Sequence, residues 1–151
     1  MSHKDTRILW ADPEATKQVD TYSRLANEFG VLMLAGTANQ LLKHLYVHGK
    51  KLNAIIISTP MSFDQNGGLT EYQKLKLQLK GLPPMNAALD LPFLAYIVNI
   101  LYPRLPIVIF ADIENSEIKS IKEKIHKTPI VVRKSDGIGT LVKAIEEALS
   151  T

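Results

Sequence analysis

Short apolar runs alternate with stretches of helical periodicity along this chain. The runs lie at residues 8–11, 31–35, 54–57, 106–110 and 130–133, and their length and composition are typical of β-strands. Strands that alternate with helices indicate βαβ crossovers, which are right-handed and build a parallel sheet. The pattern therefore predicts an α/β protein with a doubly wound, five-stranded parallel sheet of the flavodoxin-like order 2-1-3-4-5 and helices on both faces.

Five helices are expected from the stretches between and after these runs. Asp12, Pro13 and Glu14 are typical of a helix start, and Gly30 is expected to end that helix. Its predicted inward face consists of Ala15, Val19, Tyr22, Leu25, Ala26 and Phe29. The second helix is expected from a cap at Thr37 to Gly49, with Leu41, Leu42 and Leu45 inside.

The third helix is expected from about Leu91 to Leu101, and the fourth opens at Asn115 or Ser116. The inward residues of the fourth and last helices are Ile118, Ile121 and Ile125, then Ile138, Leu141, Val142, Ile145, Ala148 and Leu149. The third crossover, from Thr59 to Leu105, is unusually long. We interpret 1–151 as a single domain with an insert at about 59–90, which contains a predicted helix at Leu69–Leu79.

Composition excludes several classes of function. There is no cysteine among the 151 residues, so disulfides, thiolate metal sites and cysteine nucleophiles are ruled out. The net charge of +3 is too balanced to indicate a nucleic-acid partner. The first residues lack the apolar segment of a secretion signal, and charges and prolines interrupt the most apolar stretch, so we expect a cytoplasmic protein without a membrane partner.

Four residues with distinct chemistry follow the ends of the predicted strands: Asp12, Ser58, Ala111 and Lys134. The carboxyl ends of the strands in an open parallel sheet form one rim, where ligands bind. An acid, a hydroxyl, a methyl and an amine are therefore expected to meet at that rim.

This layout resembles the receiver (CheY-like) domain of two-component response regulators. The resemblance implies a fold in which a histidine kinase phosphorylates an aspartate after strand 3. It also implies an acid pair after strand 1 that helps to hold Mg²⁺, a Ser or Thr after strand 4 and a Lys after strand 5. Asp12 matches the first acid and Lys134 matches the lysine.

The rest of that pattern is lost. Pro13 stands where the second acid is expected, Ser58 where the phosphate acceptor is expected, and Ala111 where the hydroxyl is expected. A serine hydroxyl is a poor Mg²⁺ ligand compared with carboxylate. We therefore expect a degenerate pseudo-receiver pocket with weak or absent Mg²⁺ binding, no cofactor, and an ion pair between Lys134 and Asp12.

Two alternatives remain open. In the first, the chain is a divergent phosphorelay regulator phosphorylated at Ser58 or at the loop acid Asp64, with Asp112 as a further substitute acid, although both acids are common turn residues. In the second, the rim binds a small anion or a nucleotide through Lys134. A conventional enzyme is disfavoured because no acid, base and nucleophile converge on the rim.

Surface features indicate protein contacts. The fourth helix carries Lys119, Lys122, Lys124 and Lys127, and the resemblance implies that the face formed by helix 4, strand 5 and helix 5 is a partner or dimer surface. The insert supplies further apolar residues that could support self-association. His44 and His48 lie four apart on the second helix, but no nearby Asp, Glu or Cys completes a metal site in the sequence.

The sequence thus predicts a stand-alone, non-enzymatic signalling module that acts by protein–protein interaction. The expected partner is a histidine kinase, an output protein or a second copy of the chain.

Overall fold

A computed structural model describes residues 3–62, 89–125 and 128–150 of the chain. Its strands are β1 (His3–Ala11), β2 (Phe29–Ala35), β3 (Ala54–Ile57), β4 (Ile107–Phe110) and β5 (Ile130–Val132). Its α-helices are α1 (Val19–Glu28), α2 (Ala38–His48), α3 (Leu91–Leu101), α4 (Asn115–Lys124) and α5 (Ile138–Leu149). Short 3-10 turns cover Ala15–Lys17, Gly49–Lys51 and Lys134–Asp136.

The five strands form one sheet in the order β2-β1-β3-β4-β5, and all four neighbouring pairs are parallel. Trp10, one residue before the end of β1, pairs with Leu34 of β2 on one side and with Ile56 of β3 on the other. The predicted α/β flavodoxin-like fold and strand order are confirmed.

Alternation of side chains along the strands divides the apolar residues into two cores. Leu9, Ile55 and Ile109 pack on one face of the sheet with α2, α3 and α4. Ile8, Trp10 and Ile56 pack on the other face with α1 and α5. Full burial of one such side chain stabilises a fold by about 1.5–3 kcal/mol, so β1 and β3, which contribute to both cores, anchor the domain.

Caps explain where two of the predicted helices begin. Thr37 Oγ1 accepts a hydrogen bond from the backbone N–H of Gln40 at the start of α2. Asp90 Oδ1 likewise accepts from the N–H of Phe93 at the start of α3, whose bounds match the predicted ones. Each side chain satisfies a backbone donor that the helix itself leaves without a partner. The predicted inward residues Leu41, Leu42 and Leu45 are buried, as are Ile121, Leu141 and Ile145.

The prediction for the first helix was partly wrong. Asp12, Pro13 and Glu14 lead into a 3-10 turn instead of the helix itself, and α1 begins only at Val19. This later start places Thr21 and Leu25 inward, whereas Val19 is 63% exposed and Tyr22 is 38% exposed. Ala26 is exposed as well.

The end of that helix was also wrong. Phe29 is buried as expected, but its backbone is extended and it opens β2, so Gly30 lies inside the strand. The local sequence did not reveal this because an aromatic residue next to glycine suits a helix end and a strand start equally well.

The fourth and last helices agree with their predicted inward faces, with Ile118, Ile138 and Leu149 only half-buried. The predicted insert helix at Leu69–Leu79 lies outside the described residues. Within the described ranges, no helix is both long and apolar enough to cross a membrane.

Candidate functional site at the strand rim

Backbone hydrogen bonds hold the rim residues in place. The N–H of Asp12 donates to Ala35 O, the N–H of Ser58 donates to Ala11 O, and the N–H of Ala111 donates to Val132 O, at 3.0, 3.2 and 3.1 Å. Each bond extends the parallel ladder by one residue beyond a named strand. The rim is therefore as rigidly placed as the sheet.

Asp12 is almost fully buried and its two carboxylate oxygens have separate partners. Oδ1 accepts from the backbone N–H of Glu14 at 2.8 Å, which tightens the turn after β1. Oδ2 accepts from Nε2 of Gln18, also at 2.8 Å. A buried carboxylate needs such partners, because leaving its charge without them is costly.

The predicted ion pair between Asp12 and Lys134 is present, with a long separation between the charged atoms. Lys134 Nζ lies 3.8 Å from Asp12 Oδ2 and 5.9 Å from the centre of the Phe110 ring. The Lys134 side chain is 36% exposed, whereas that of Asp12 is fully buried. The ammonium thus faces the carboxylate while keeping access to solvent.

The loop after β5 is fixed by contacts of its own. Arg133 Nη1 donates to Ile113 O at 2.6 Å, and Asp136 Oδ2 accepts from the N–H of Arg133 at 3.0 Å. These bonds tie the start of the Lys134–Asp136 turn to the segment after β4. Lys134 therefore projects from a braced turn.

Ser58 is buried, and its hydroxyl oxygen accepts a hydrogen bond from Trp10 Nε1 at 2.8 Å. Trp10 pairs with Ile56 of the neighbouring strand, and their side chains lie on the same face of the sheet. Ser58 follows Ile56 by two residues, so its side chain lies on that face as well. The indole therefore reaches the rim diagonally from near the C-terminal end of β1.

Sequence reasoning missed the roles of Trp10 and Gln18. The signal for Trp10 was present, since a tryptophan in a buried strand needs an acceptor for its indole N–H. Gln18 carried no such signal, because the 3-10 turn that brings it back over Asp12 was not expected.

The other predicted site residues contribute little polar chemistry. Ala111 is buried, while Pro13 and Asp112 are exposed. Asp64 lies outside the described residues. Within the described part of the chain, no three His, Asp or Glu side chains gather as a metal site. Among the described residues, the rim includes the Asp12 carboxylate with the Gln18 amide and the Lys134 ammonium beside it, and the Ser58 hydroxyl bonded to Trp10.

Neither a protein-family model nor a curated protein matches the chain significantly. Solved structures of receiver domains do share its fold. A response regulator receiver domain from Clostridium thermocellum superposes with a TM-score of 0.67 at 15% identity, covering 96% of this chain and 94% of that one.

Two further receiver structures agree. A receiver protein from Sinorhizobium medicae WSM419 gives a TM-score of 0.67 at 17% identity, covering 99% of this chain and 98% of that one. A CheY-like receiver domain from Methanospirillum hungatei JF-1 gives 0.64 at 16% identity, covering 96% and 94%. The chain thus has the fold of response regulator receiver domains.

Proposed function

We propose that this chain is a receiver-like signalling module that acts by protein–protein interaction, without phosphoryl transfer at the rim. The observation that carries the proposal is the state of the two central rim groups. The Asp12 carboxylate and the Ser58 hydroxyl are both buried and both already hydrogen-bonded within the protein.

The donor set does not fit the Mg²⁺ ion that receiver chemistry implies. Mg²⁺ demands near-octahedral oxygen ligation and usually takes one or two carboxylates together with waters and phosphate. Asp12 is the one carboxylate of the predicted pocket and already accepts from Glu14 and Gln18. Pro13 has no ligating side-chain atom, and the Ser58 hydroxyl is neutral. We therefore propose that Mg²⁺ binds weakly or not at all.

Ser58 is also a poor phosphate acceptor in this setting. Its oxygen is buried and accepts the Trp10 indole N–H, which withdraws electron density from the atom that would have to attack. A serine nucleophile requires a general base to take its proton. Asp12, the buried acid of the rim, already accepts hydrogen bonds from Glu14 and Gln18.

Surface chemistry supports a protein partner. The surface formed by α4, β5 and α5 presents the exposed side chains of Lys119, Lys122 and Lys143. A basic surface of this kind favours docking to an acidic protein face. Among the structural neighbours, one is the beryllofluoride-activated NtrC4 receiver domain dimer, with a TM-score of 0.61 at 14% identity. A dimer of this chain is the homotypic version of the proposal.

The first test is intact-mass analysis after incubation with Mg²⁺ and acetyl phosphate. We expect no adduct on the wild type or on the Ser58→Ala variant. A Mg²⁺-dependent adduct that is lost in Ser58→Ala would overturn the proposal in favour of a phosphorelay regulator using Ser58, and an adduct retained in Ser58→Ala but lost in Asp64→Asn would assign it to Asp64.

Two gain-of-function variants sharpen the test. Ser58→Asp restores an acceptor carboxylate, and the double variant Pro13→Asp/Ser58→Asp restores the acid pair as well. An adduct on the double variant alone indicates that both losses matter, which is the result expected from the Mg²⁺ argument. Size-exclusion chromatography with light scattering then distinguishes a dimer from a module that needs another protein.

A second candidate function rests on Lys134. Its ammonium is 3.8 Å from Asp12 and partly exposed, so it could hold an anion at the rim. Phosphate or a nucleotide would then raise the melting temperature of the wild type but not of Lys134→Met. Equal shifts in both proteins would remove this alternative.

A further inference from the structure

Helix α2 brings two histidines together on one side. The ring centres of His44 and His48 lie 5.9 Å apart with the planes tilted by 31°. Both rings line the same hollow of about 360 Å³, together with Leu34, Gln40, Lys43 and Val47. A spacing of four residues places the two side chains on adjacent turns of the helix, so they face the same space.

The tautomer of His44 follows from its contact with the edge strand. Its Nε2 atom lies 3.1 Å from the carbonyl oxygen of Leu34 in β2. A carbonyl can only accept, so Nε2 carries the hydrogen and Nδ1 of the neutral ring keeps its lone pair.

The lone pair on His44 Nδ1 is not taken up by the contact with β2, which uses Nε2. Desolvation by burial lowers the pKa of His44, and the nearby charges of His48 and Lys43 act in the same direction, against the hydrogen bond to Leu34, which raises it. In the described ranges every buried side-chain nitrogen and oxygen atom has a hydrogen-bond partner. The hydrogen bond of the His44 ring is made by Nε2, and Nδ1 makes none within these ranges. This atom is therefore accessible to solvent.

We propose that His44 and His48 form a binding site for one divalent cation of the late first-row transition metals, of which Zn²⁺ is the natural probe. Imidazole is a preferred ligand of these ions. A histidine that binds metal usually donates its other ring N–H to a backbone carbonyl or a carboxylate, and His44 already does so to Leu34. Water completes the coordination, because the described residues supply no third ligand to make a larger cluster.

A neighbouring charge sets the affinity of this site, and the bound ion in turn affects the stability of the fold. Lys43 places a positive charge beside the hollow and opposes a cation, so the affinity is expected to be moderate. The bound ion would link two turns of α2 and, through the hydrogen bond to Leu34, would favour the docked position of α2 against β2. Because the unfolded chain lacks this arrangement, the ion stabilises the folded state.

The test is a Zn²⁺ titration of protein without an affinity tag, followed by calorimetry and by ¹H–¹⁵N spectra of the histidine side chains. We expect the free protein to show the Nε2–H tautomer at His44 and one equivalent of Zn²⁺ to shift the resonances of His44 and His48. His48→Gln removes one ligand from a partly exposed position and should weaken binding on the order of tenfold or more. Lys43→Ala should strengthen it.

The other two histidines in the sequence provide matched controls. His3→Gln and His126→Gln should bind Zn²⁺ like the wild type. Equal Zn²⁺ affinity of the wild type and His48→Gln would overturn the proposal, as would loss of binding in either control variant or Zn²⁺ shifts confined to His3 and His126.

Discussion

Trp10 and Ser58 are bonded to each other inside the protein, 48 positions apart in sequence, with the indole N–H 2.8 Å from the hydroxyl oxygen. The pair joins the C-terminal part of β1 to the residue that follows β3. It also ties the rim to the core between the sheet and helices α1 and α5. The Ser58 hydroxyl thereby serves as a structural partner of Trp10.

The first prediction concerns this pair. Trp10→Phe removes the donor and some apolar area, while Ser58→Ala leaves the buried indole N–H without an acceptor. Each change should lower the free energy of unfolding by about 1–3 kcal/mol, since a buried polar group without a partner costs that much. Urea denaturation of both single variants and of the double variant measures the coupling.

The double variant should be less destabilised than the sum of the two single variants, because contacting residues are not additive. Strict additivity would show that the hydrogen bond contributes nothing measurable to stability.

The second prediction concerns Asp12. Asp12→Ala removes the acceptor of the Glu14 N–H and leaves the Gln18 amide with only its weaker bond to Glu14 O, so we expect a loss of about 1–3 kcal/mol in unfolding free energy. Asp112→Ala is the matched control, since this exposed acid should change stability by less than about 0.5 kcal/mol. Similar effects of the two substitutions would contradict the buried role of Asp12.

The third prediction concerns Gly49. Glycine is needed at this position because a side chain would not fit there, and not because the backbone conformation demands it. Its φ of −53° is helical, but a Cβ at this position would overlap the ring of Tyr102. That ring is held by its hydroxyl, which donates to Leu45 O at 2.6 Å. Gly49→Ala should therefore cost about 1–3 kcal/mol, as overpacking does.

Gly139 in α5 is the control for that substitution. A Cβ at this position would meet no atom within 4 Å, so Gly139→Ala should leave stability unchanged or raise it by less than about 1 kcal/mol. Thermal unfolding of the two alanine variants compares them directly. A tolerated Gly49→Ala would mean that Tyr102 can move away at little cost.

The fourth prediction is a loss of stability in mild acid that depends on His44. The pKa of His44 is lowered from 6.5 in the folded protein, chiefly by desolvation, so its protonation favours the unfolded chain. Above pH 6.5 the neutral His44 ring does not destabilise the fold. As the pH falls below that value, the unfolded chain binds the proton more readily than the folded protein, so the free energy of unfolding declines. The charged and titratable neighbours that act on His44 are His48 and Lys43.

Urea denaturation at several pH values between about 5 and 7.5 measures this effect. His44→Gln should flatten the pH dependence relative to the wild type, whereas His48→Gln should retain most of it, because burial is the larger cause. An unchanged pH dependence in His44→Gln would assign the acid sensitivity to other groups.

Much of the architecture was predictable because it depends on local patterns. The apolar stretch from Leu91 to Leu101 predicted α3, and Gly49 predicted the end of α2. The prediction of the first helix was wrong because Val19 and Tyr22 have helical spacing from Ala15. The 3-10 turn at Ala15–Lys17 breaks that helix, so a different set of side chains in α1 faces the core.

The candidate site divides in the same way. The sequence by itself determined which residue types stand at the ends of the strands, and hence that Asp12 and Lys134 would face each other. Only the tertiary structure decided that Trp10 bonds to Ser58, that Gln18 covers Asp12, and that His44 is held by Leu34. The physical reason is that strand ends and helix periodicity depend on residues close together in the sequence, whereas side-chain hydrogen-bond partners are set by packing between segments distant in the chain.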